Sequence, residues 1–323
     1  MSNNRRNFLK NSSSAALAFV LFPHLFSCKS GTPSDAAVTK AVEKASKILF
    51  DVPAGVDYKL NNISGNVWTF VQRGGTIGVY IEDGAVCVID TQFKLQSNNL
   101  IAQIQSKTSN KIDLLVNTHH HGDHTAGNIA YKGLIKQHVA HTNAVDNQRK
   151  SAESRNIVDK QMFAETVFDK EWSSKLGTET VKMKYYGAGH TDGDIVTTFE
   201  NTNVVHMGDL VFNRRFPYID KANGANVGNW VNILDQVIAD NNAETKYIFG
   251  HSDGGFPITG DQEDLRAFQN YLEQLLVLGN DCKKKGLSLE KAKETIKGVP
   301  GAEEWRGNGI SRSLDAIYEE LAI

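Results

Sequence analysis

The chain has 323 residues, of which 40% are hydrophobic and 22% are charged, and its formal net charge is −2. This composition is that of an ordinary globular protein with room for one large core or two modest ones. Removing residues 1–27 takes away Arg5, Arg6 and Lys10 and no acidic residue. The remaining chain is acidic and has no basic stripe, which argues against nucleic acid as a partner.

The first 28 residues are typical of an export signal. Residues 4–10, Asn-Arg-Arg-Asn-Phe-Leu-Lys, resemble a twin-arginine signal, and the apolar stretch from Ala15 to Leu21 is too short to cross a bilayer. The following Leu-Phe-Ser-Cys resembles a lipoprotein cleavage box that makes Cys28 the lipidated first residue. A plain cleaved signal or an uncleaved anchor is the alternative. We predict a periplasmic protein, exported in the folded state, whose membrane contact is this lipid alone.

Residues 29–55 are predicted to form a tether with one helix, and residues 56–323 a single domain. Glycine turns at Gly74-Gly75 and Asp83-Gly84 separate short β-branched and aromatic runs, which predicts hairpins at the start of this domain. The predicted strands here are Val67–Gln72, Thr76–Ile81 and Ala85–Asp90. A helix over Leu95–Ser106 and a strand over Ile112–Val116 are predicted to follow.

The rest of the domain is predicted to alternate between helices, strands and loops. The helices are Ala126–Tyr131, a polar helix after His141, Trp230–Ala239, Leu265–Leu278 and two short ones within 287–323. The strands are Gln137–His141, Val181–Tyr186, Ile195–Glu200 and Val204–Met207. Residues 151–172 are polar without a firm period, so we expect a loop or a small insertion. Residues 214–228 are expected to be a long irregular loop, typical of a pocket wall.

The most informative motif is Thr-His-His-His-Gly-Asp-His at 118–124, directly after the strand Ile112–Val116. In an extended segment, residues two apart project to the same side, so His119 and His121 can share one cation while His120 points away. If a helix begins near Asp123, that carboxylate and His124 face a second cation beside the first. Imidazole and carboxylate are ligands that suit zinc. The alternative is that Asp123 caps the helix and the histidines are a chance polar cluster.

Three further candidate ligands share one local pattern, an apolar run followed by glycine and then the ligand. They are His190, Asp209 and His251. Such runs are typical of buried strands, and the glycines of tight turns at strand ends. Side chains on the loops after several strands can converge at one edge of a sheet. Taken singly, Asp209 as a turn cap and either histidine as a solvated loop residue are the alternatives.

In these motifs the chain resembles the metallo-β-lactamase superfamily, from Val67 to His251. The resemblance implies a four-layer αβ/βα sandwich of two mixed β-sheets, an α/β fold, with two zinc ions at one edge. It implies that His119, His121 and His190 hold the first zinc. It also implies that Asp123, His124 and His251 hold the second, with Asp209 bridging both. Related enzymes use a glycine-rich hairpin such as 73–78 as a mobile flap, and a simple exposed turn is the alternative.

The sequence departs from the cysteine-bearing class of these β-lactamases at two positions. It has Asp209 where that class has cysteine, and Phe212 where that class has the lysine that grips the antibiotic's carboxylate. Aspartate at the bridging position is similar to glyoxalase II, lactonases and esterase-like members. Arg214 and Arg215 could form a substitute anion clamp, so these two and Phe212 are the candidate substrate-binding residues. The alternative for the arginines is a solvated loop pair.

The resemblance and the ligand set together predict an exported binuclear zinc hydrolase. A metal-bound hydroxide would attack an activated carbonyl in a lactam, lactone, ester or thioester, while Asp123 orients it and passes a proton. Two zinc ions, two carboxylates and hydroxide leave a positive centre, which favours a small anionic substrate. The alternatives are a true β-lactamase, a phosphodiesterase or sulfatase, and a non-catalytic zinc-binding lipoprotein.

Overall fold

The computed structural model describes residues 59–322, which all belong to one unit of the chain. The predicted export signal, the tether with its helix, and Cys28 lie outside the described residues. None of the helices in the described range combines the length and the apolar character needed to cross a bilayer.

The first sheet is built from the N-terminal strands in sequence order. They are β1 (Asn61–Ser64), β2 (Val67–Phe70), β3 (Ile77–Glu82), β4 (Ala85–Ile89), β5 (Ile112–Asn117), β6 (Ile135–His141) and β7 (Thr166–Phe168). Strands β1 to β4 pair antiparallel, and β4 to β7 pair parallel. The carboxyl ends of β4, β5 and β6 therefore meet at one edge of the sheet.

The later strands form a second, mixed sheet and a small ladder. They are β8 (Glu171–Leu176), β9 (Glu179–Tyr185), β10 (Ile195–Phe199), β11 (Val204–His206), β12 (Phe212–Asn213), β13 (Lys246–Ile248), β14 (His251–Ser252) and β15 (Thr259–Gly260). The second sheet has the order β15-β13-β11-β10-β9-β8, and its one parallel pair is β11 with β13. Strands β12 and β14 pair parallel with each other as a separate two-stranded ladder.

Helices lie between and after the strands. They are α1 (Lys94–Lys107), α2 (Gly122–Thr125), α3 (Thr142–Ser154), α4 (Val227–Asp240), α5 (Gln262–Lys284), α6 (Leu289–Thr295) and α7 (Ile310–Glu320). Short 3-10 helices cover Asn128–Tyr131, Val158–Lys160, Gly208–Leu210 and Lys221–Asn223. The predicted helix over 126–131 is thus a single 3-10 turn.

Strand β4 shows how the layers arise from the sequence. Successive side chains of a strand point to opposite faces. Ala85, Cys87 and Ile89 contribute to the apolar core between the two sheets, whereas Val86 and Val88 pack with α1 on the outer face. Helices α4, α5 and α7 cover the outer face of the second sheet with a third core. The result is helix, sheet, sheet, helix, which confirms the predicted four-layer sandwich of two mixed sheets.

A second predicted region also differs from the structure. Residues 151–172, expected to be irregular, contain the end of α3, all of β7 and the start of β8. Strand β8 is the outermost strand of its sheet, and its residues alternate between exposed and half-buried positions up to the buried Leu176. Because such a strand buries little apolar surface, it carries almost no hydrophobic signal in the sequence.

Candidate metal centre

The ligand run begins where β5 ends, at the edge shared by the parallel strands. His119 and His121 lie on the segment after Asn117, which bends over 118–120, and His121 is the extended residue before the first turn of α2. Asp123 falls within that first turn. The alternative that Asp123 caps the helix is therefore wrong, and its carboxylate is free to face the neighbouring histidines.

Four of the predicted ligands form the first group, His119, His121, His190 and Asp209, whose ligand atoms all lie within 4.8 Å of one another. His121 Nδ1 lies 3.2 Å from His119 Nε2 and 2.9 Å from His190 Nε2. Asp209 Oδ2 lies 3.7 Å from His119 Nε2 and 3.5 Å from His190 Nε2. These atoms surround one point, as the ligands of a single cation do.

The remaining three predicted ligands, Asp123, His124 and His251, form a second group. His251 Nε2 lies 3.2 Å from Asp123 Oδ2 and 3.4 Å from His124 Nε2. Asp209 also borders this group, since Oδ1 lies 3.0 Å from His124 Nε2 and Oδ2 lies 3.4 Å from His251 Nε2. The structure thus brings all seven residues together and places Asp209 between the two groups.

The outward nitrogens of four of these histidines are each held by a partner. His119 Nδ1 contacts Thr118 Oγ1 (3.0 Å), His121 Nε2 contacts Asp220 Oδ2 (2.8 Å), His124 Nδ1 contacts Asp90 Oδ2 (2.7 Å), and His190 Nδ1 contacts the Tyr218 carbonyl (2.7 Å). Such contacts fix the orientation and the tautomer of a metal-binding imidazole, leaving the inward lone pair for the metal.

Two of these partners, Asp90 and Asp220, were not predicted. Asp90 is fully buried and follows β4, and its Oδ1 also accepts the Thr118 N–H at 2.8 Å. The signal that could have found it is an acidic residue directly after a buried apolar strand, a context close to that of Asp209 but without the glycine. Asp220 has no such context, since it lies in the irregular loop before α4.

Burial shifts two imidazoles of the first group, His190 and His119, toward the neutral form. Burial, together with the nearby His121, lowers the pKa of His190 to about 3. Burial likewise holds the pKa of His119 well below its usual range, and the neighbouring His124 adds to the effect. A neutral imidazole keeps the lone pair that a metal requires.

The second group has a different electrostatic character. Burial opposes the charged form of His251, but the carboxylates of Asp209 and Asp123 outweigh it and raise the pKa to about 9. Burial also opposes charge on His124, whose pKa is nevertheless held well above its usual range by Asp209 and Asp90. These carboxylates therefore stabilise a positive charge in the second group, and a divalent cation can supply that charge.

Both inward carboxylates are ionised for the same reason. Burial disfavours the charged form of Asp209, but the imidazoles of His251 and His124 hold its pKa well below the usual range. Burial also opposes charge on Asp123, yet the contact with His251 and the charge of His124 lower its pKa to about 2. Ionised carboxylates complete a set of oxygen and nitrogen donors.

The donor set fits a pair of zinc ions. Zinc prefers imidazole nitrogen and carboxylate oxygen, and both groups consist of these alone. The Oδ1 atom of Asp209 is buried, and the contact with His124 Nε2 at 3.0 Å does not meet hydrogen-bond geometry among the described residues. A buried charged oxygen without a well-directed hydrogen bond is costly unless a positive charge, such as a cation, balances it.

Glycines allow the surrounding backbone to approach the ligands. A Cβ atom on Gly75 would lie 2.1 Å from the His124 ring. Gly75 N–H donates to the Asp123 carbonyl at 3.1 Å, and Thr76 N–H donates to the Gly250 carbonyl at 2.9 Å. The turn at 73–78 is therefore bonded to the ligand segments, and neither a free flap nor a simple exposed turn describes it.

Phe212, a candidate substrate-binding residue, is 3% exposed. Its ring stacks on that of His251, with the centroids 5.3 Å apart and the planes inclined by 19°. The His190 ring lies 5.6 Å away. Phe212 therefore supports two of the ligand histidines, and its burial contradicts the predicted contact with substrate.

The two arginines of the predicted anion clamp have different environments. Arg214 is already paired, because Nη1 lies 2.6 Å from Asp264 Oδ1 and Nε lies 2.8 Å from Glu304 Oε2. These two ion pairs disfavour a contact between Arg214 and an anionic substrate, and the substrate-binding role of Arg214 stays a prediction. Arg215 is exposed, and its part in substrate binding stays a prediction.

The solved structures that resemble this chain include the following two. One is a double mutant of the sec-alkyl sulfatase PisA1, with a TM-score of 0.62 and 14% sequence identity, covering 82% of this chain and 50% of the sulfatase. The chain thus spans half the length of that relative. The other is the DIM-1 metallo-β-lactamase, with a TM-score of 0.54 and 19% identity, covering 67% of this chain and 96% of the lactamase. At these sequence identities the structural similarity shows a shared fold alone.

The sequence itself matches a family model described as the metallo-β-lactamase superfamily over residues 72–251. This match covers more than half of the sequence and includes every residue of the two ligand groups. The resemblance inferred from the motifs is thereby confirmed, and the chain belongs to the metallo-β-lactamase superfamily.

Proposed function

We propose that this protein is an exported binuclear zinc hydrolase that cleaves an activated carbonyl in a lactam, lactone, ester or thioester. The observation that carries the proposal is the convergence of seven nitrogen and oxygen ligands into two groups that share Asp209. Two zinc ions held there would supply an activated water and a Lewis acid for the carbonyl oxygen. The side chains of the protein would then bind the substrate, orient the attacking water and transfer a proton.

Asp123 is the residue best placed to transfer a proton. Its side chain is 34% exposed, whereas that of Asp209 is 4% exposed. Asp209 is enclosed by imidazoles and serves to hold the two groups together. Asp123 faces solvent as well as His251, so it can orient the attacking water and carry its proton to the leaving group.

The site also supports a preference for small anionic substrates. Two zinc ions carry more positive charge than Asp123 and Asp209 neutralise, so an anionic group on the substrate is attracted. The acidic composition of the chain after residue 27 argues against nucleic acid as a partner.

A sulfatase is the second candidate function. The alignment with an alkyl sulfatase covers 82% of this chain, more than the 67% covered with a β-lactamase. A sulfate ester is also a small anionic substrate. β-Lactamase activity has less support, because Phe212 replaces the lysine expected there and is buried against His251.

A hydrolysis panel tests the proposal. The zinc-loaded protein would be assayed on nitrocefin, an acyl lactone, a thioester, bis-p-nitrophenyl phosphate and a secondary alkyl sulfate. We expect cleavage of a carbonyl substrate, and a loss of about 100-fold or more in kcat for Asp123→Asn. Asp240→Asn is the control, because this carboxylate pairs with Lys184 at the surface. Cleavage of the sulfate alone would favour the second candidate, and no cleavage at all would favour a zinc-binding lipoprotein.

We further propose that the protein is exported in the folded state and anchored through a lipid on Cys28. Support comes from the twin-arginine and lipoprotein-like residues of the first 28 positions. Cys28→Ala should move the protein from the membrane fraction to the soluble periplasmic fraction. Continued membrane association of the variant would overturn the lipid anchor.

A further inference from the structure

Asp220 contacts two histidines of the ligand run without belonging to either ligand group. It lies in the loop between β12 and α4 and is 3% exposed. Its Oδ2 atom lies 2.8 Å from His121 Nε2 and 3.6 Å from His120 Nε2. The same oxygen accepts a hydrogen bond from Asn223 Nδ2 at 2.8 Å. A buried carboxylate held this closely has a fixed position relative to both histidines.

The contact with Asp220 decides which nitrogen of His121 can bind a metal. An imidazole that donates from Nε2 carries its lone pair on Nδ1. His121 Nδ1 is the atom that faces His119 and His190. The other four ligand histidines turn Nε2 toward Asp209 or the second group. His121 is therefore reversed relative to its neighbours, and Asp220 stabilises that reversal.

The loop that carries Asp220 is held by the C-terminal helix α7. Lys221 Nζ lies 2.5 Å from Glu320 Oε2, and the pair is mostly shielded, with side chains 19% and 12% exposed. Glu320 Oε1 accepts the Gly228 N–H at 3.2 Å. Helix α7 lies beyond residues 72–251, the part of the chain that matches the superfamily. Glu320 thus joins Lys221, the neighbour of Asp220, and Gly228 in the first turn of α4 to a helix from outside the matched region.

We propose that Asp220 is a positioning residue that fixes His121 for metal binding through Nδ1, and that Glu320 on α7 holds the loop carrying Asp220. This inference rests on the proposed function only in taking zinc as the metal. Asp220→Asn can present an amide N–H to His121 Nε2, which favours the wrong tautomer. Loss of an outer partner of this kind typically weakens metal binding by about 10–100-fold.

Zinc affinity measured by competition with a chromophoric chelator tests the proposal on the full protein. Asp220→Asn should weaken the binding of one of the two zinc ions by about 10–100-fold. Glu320→Gln should weaken the binding of the same zinc ion by a smaller factor, because this substitution removes the ion pair with Lys221 and leaves Asp220 intact. Glu319→Gln is the matched control, since this exposed neighbour on α7 has no ion pair among the described residues. Its zinc affinities should equal those of the wild type.

Unchanged zinc affinities in both Asp220→Asn and Glu320→Gln would overturn the proposal. A third equivalent of zinc that disappears in His120→Gln would also overturn it, because Asp220 and His120 would then be ligands themselves. The ¹⁵N chemical shifts of the His121 ring report its tautomer in the metal-free wild type. They should show Nε2 protonated, and a protonated Nδ1 there would contradict the proposal. This measurement stands even if Asp220→Asn fails to fold or if the wild type proves not to bind zinc.

Discussion

Gly250, the residue before His251, leaves no space for a side chain. A Cβ atom at this position would lie 2.1 Å from Asp209 Oδ1 and 2.6 Å from the Gly208 carbonyl. Gly250→Ala should therefore displace Asp209 and lower the zinc content, and overpacking of this kind costs about 1–3 kcal/mol of stability. Gly254→Ala is the matched control, because a Cβ there meets nothing within 4 Å. Elemental analysis and thermal unfolding of both variants check the prediction, which equal zinc contents would contradict.

Asp209 is the residue on which both ligand groups depend. Its two oxygens lie 3.0 Å from His124 Nε2 and 3.4 Å from His251 Nε2, and Oδ2 also borders His119. Asp209→Ala removes the carboxylate that, among the described residues, faces both groups, so the zinc content should fall from about two ions per chain toward one or none. Inductively coupled plasma analysis of the purified variant measures this. A variant that retained two ions would show that Asp209 does not bridge.

The seven ligands could be predicted at the residue scale because each follows a recognisable local pattern. Their supporting residues could not. Asp90 and Asp220 lie 34 and 99 residues from the histidines they hold. Contacts over such separations arise from tertiary folding and leave no spacing in the sequence. The same reason explains why the ion pairs of Arg214 could not be predicted, since Asp264 and Glu304 approach it only in the folded chain.

At the scale of elements, β6 places a buried histidine against the end of β5. His138 is fully buried and its Nε2 lies 2.7 Å from Asn117 Oδ1. Burial lowers the pKa of His138 from 6.5 to about 4. Between these pH values His138 is protonated in the unfolded chain but remains neutral in the folded protein. Stability should therefore fall as the pH falls from about 6.5 to about 4, by roughly 3 kcal/mol at most from this residue.

His138→Gln tests this pH dependence. Glutamine keeps an amide N–H for Asn117 but does not titrate, so the variant should lose less stability than the wild type on acidification. His206, whose pKa burial also lowers to about 4, contributes with the same sign and remains in both proteins. Denaturant unfolding at pH 7.5 and pH 5 measures the difference, with pH 7.5 as the reference for packing effects. Parallel stability curves would exclude His138 as a source of the pH dependence.

Elements that bury an apolar face could be predicted from the sequence, whereas others could not. Strand β4 is an unbroken apolar run that contributes to two cores, and α4 buries Trp230, Ile233, Leu234, Val237 and Ile238 at helical spacing, so both carry a strong pattern. Strand β7 is three residues long, and β8 has exposed residues at every second position. The ladder of β12 and β14 has two residues in each strand, too few for a periodic signal. Pairing in these strands is decided by neighbours distant in the sequence.

At the scale of the whole molecule, the ligand groups join the two sheets. His119 to His124 follow β5 of the first sheet, whereas Asp209 follows β11 of the second. The Thr118 carbonyl also accepts the Ile195 N–H from β10 at 2.9 Å. A cation bound by ligands from both sheets holds them together at this edge. Metal binding and the stability of the sandwich should therefore be coupled.

Metal removal tests this coupling directly. Zinc that binds the folded chain but not the unfolded one stabilises it by about 4 kcal/mol when free zinc exceeds the Kd 1,000-fold. For a domain of this size, that corresponds to a fall in Tm on the order of 10 °C after treatment with a strong chelator. Differential scanning calorimetry of the chelated, untreated and zinc-restored protein measures the change, and restoring zinc should recover the Tm. Asp209→Ala, with fewer ions to lose, should show a smaller fall. An unchanged Tm in protein shown by elemental analysis to be metal-free would mean that the sheets hold together without the cations.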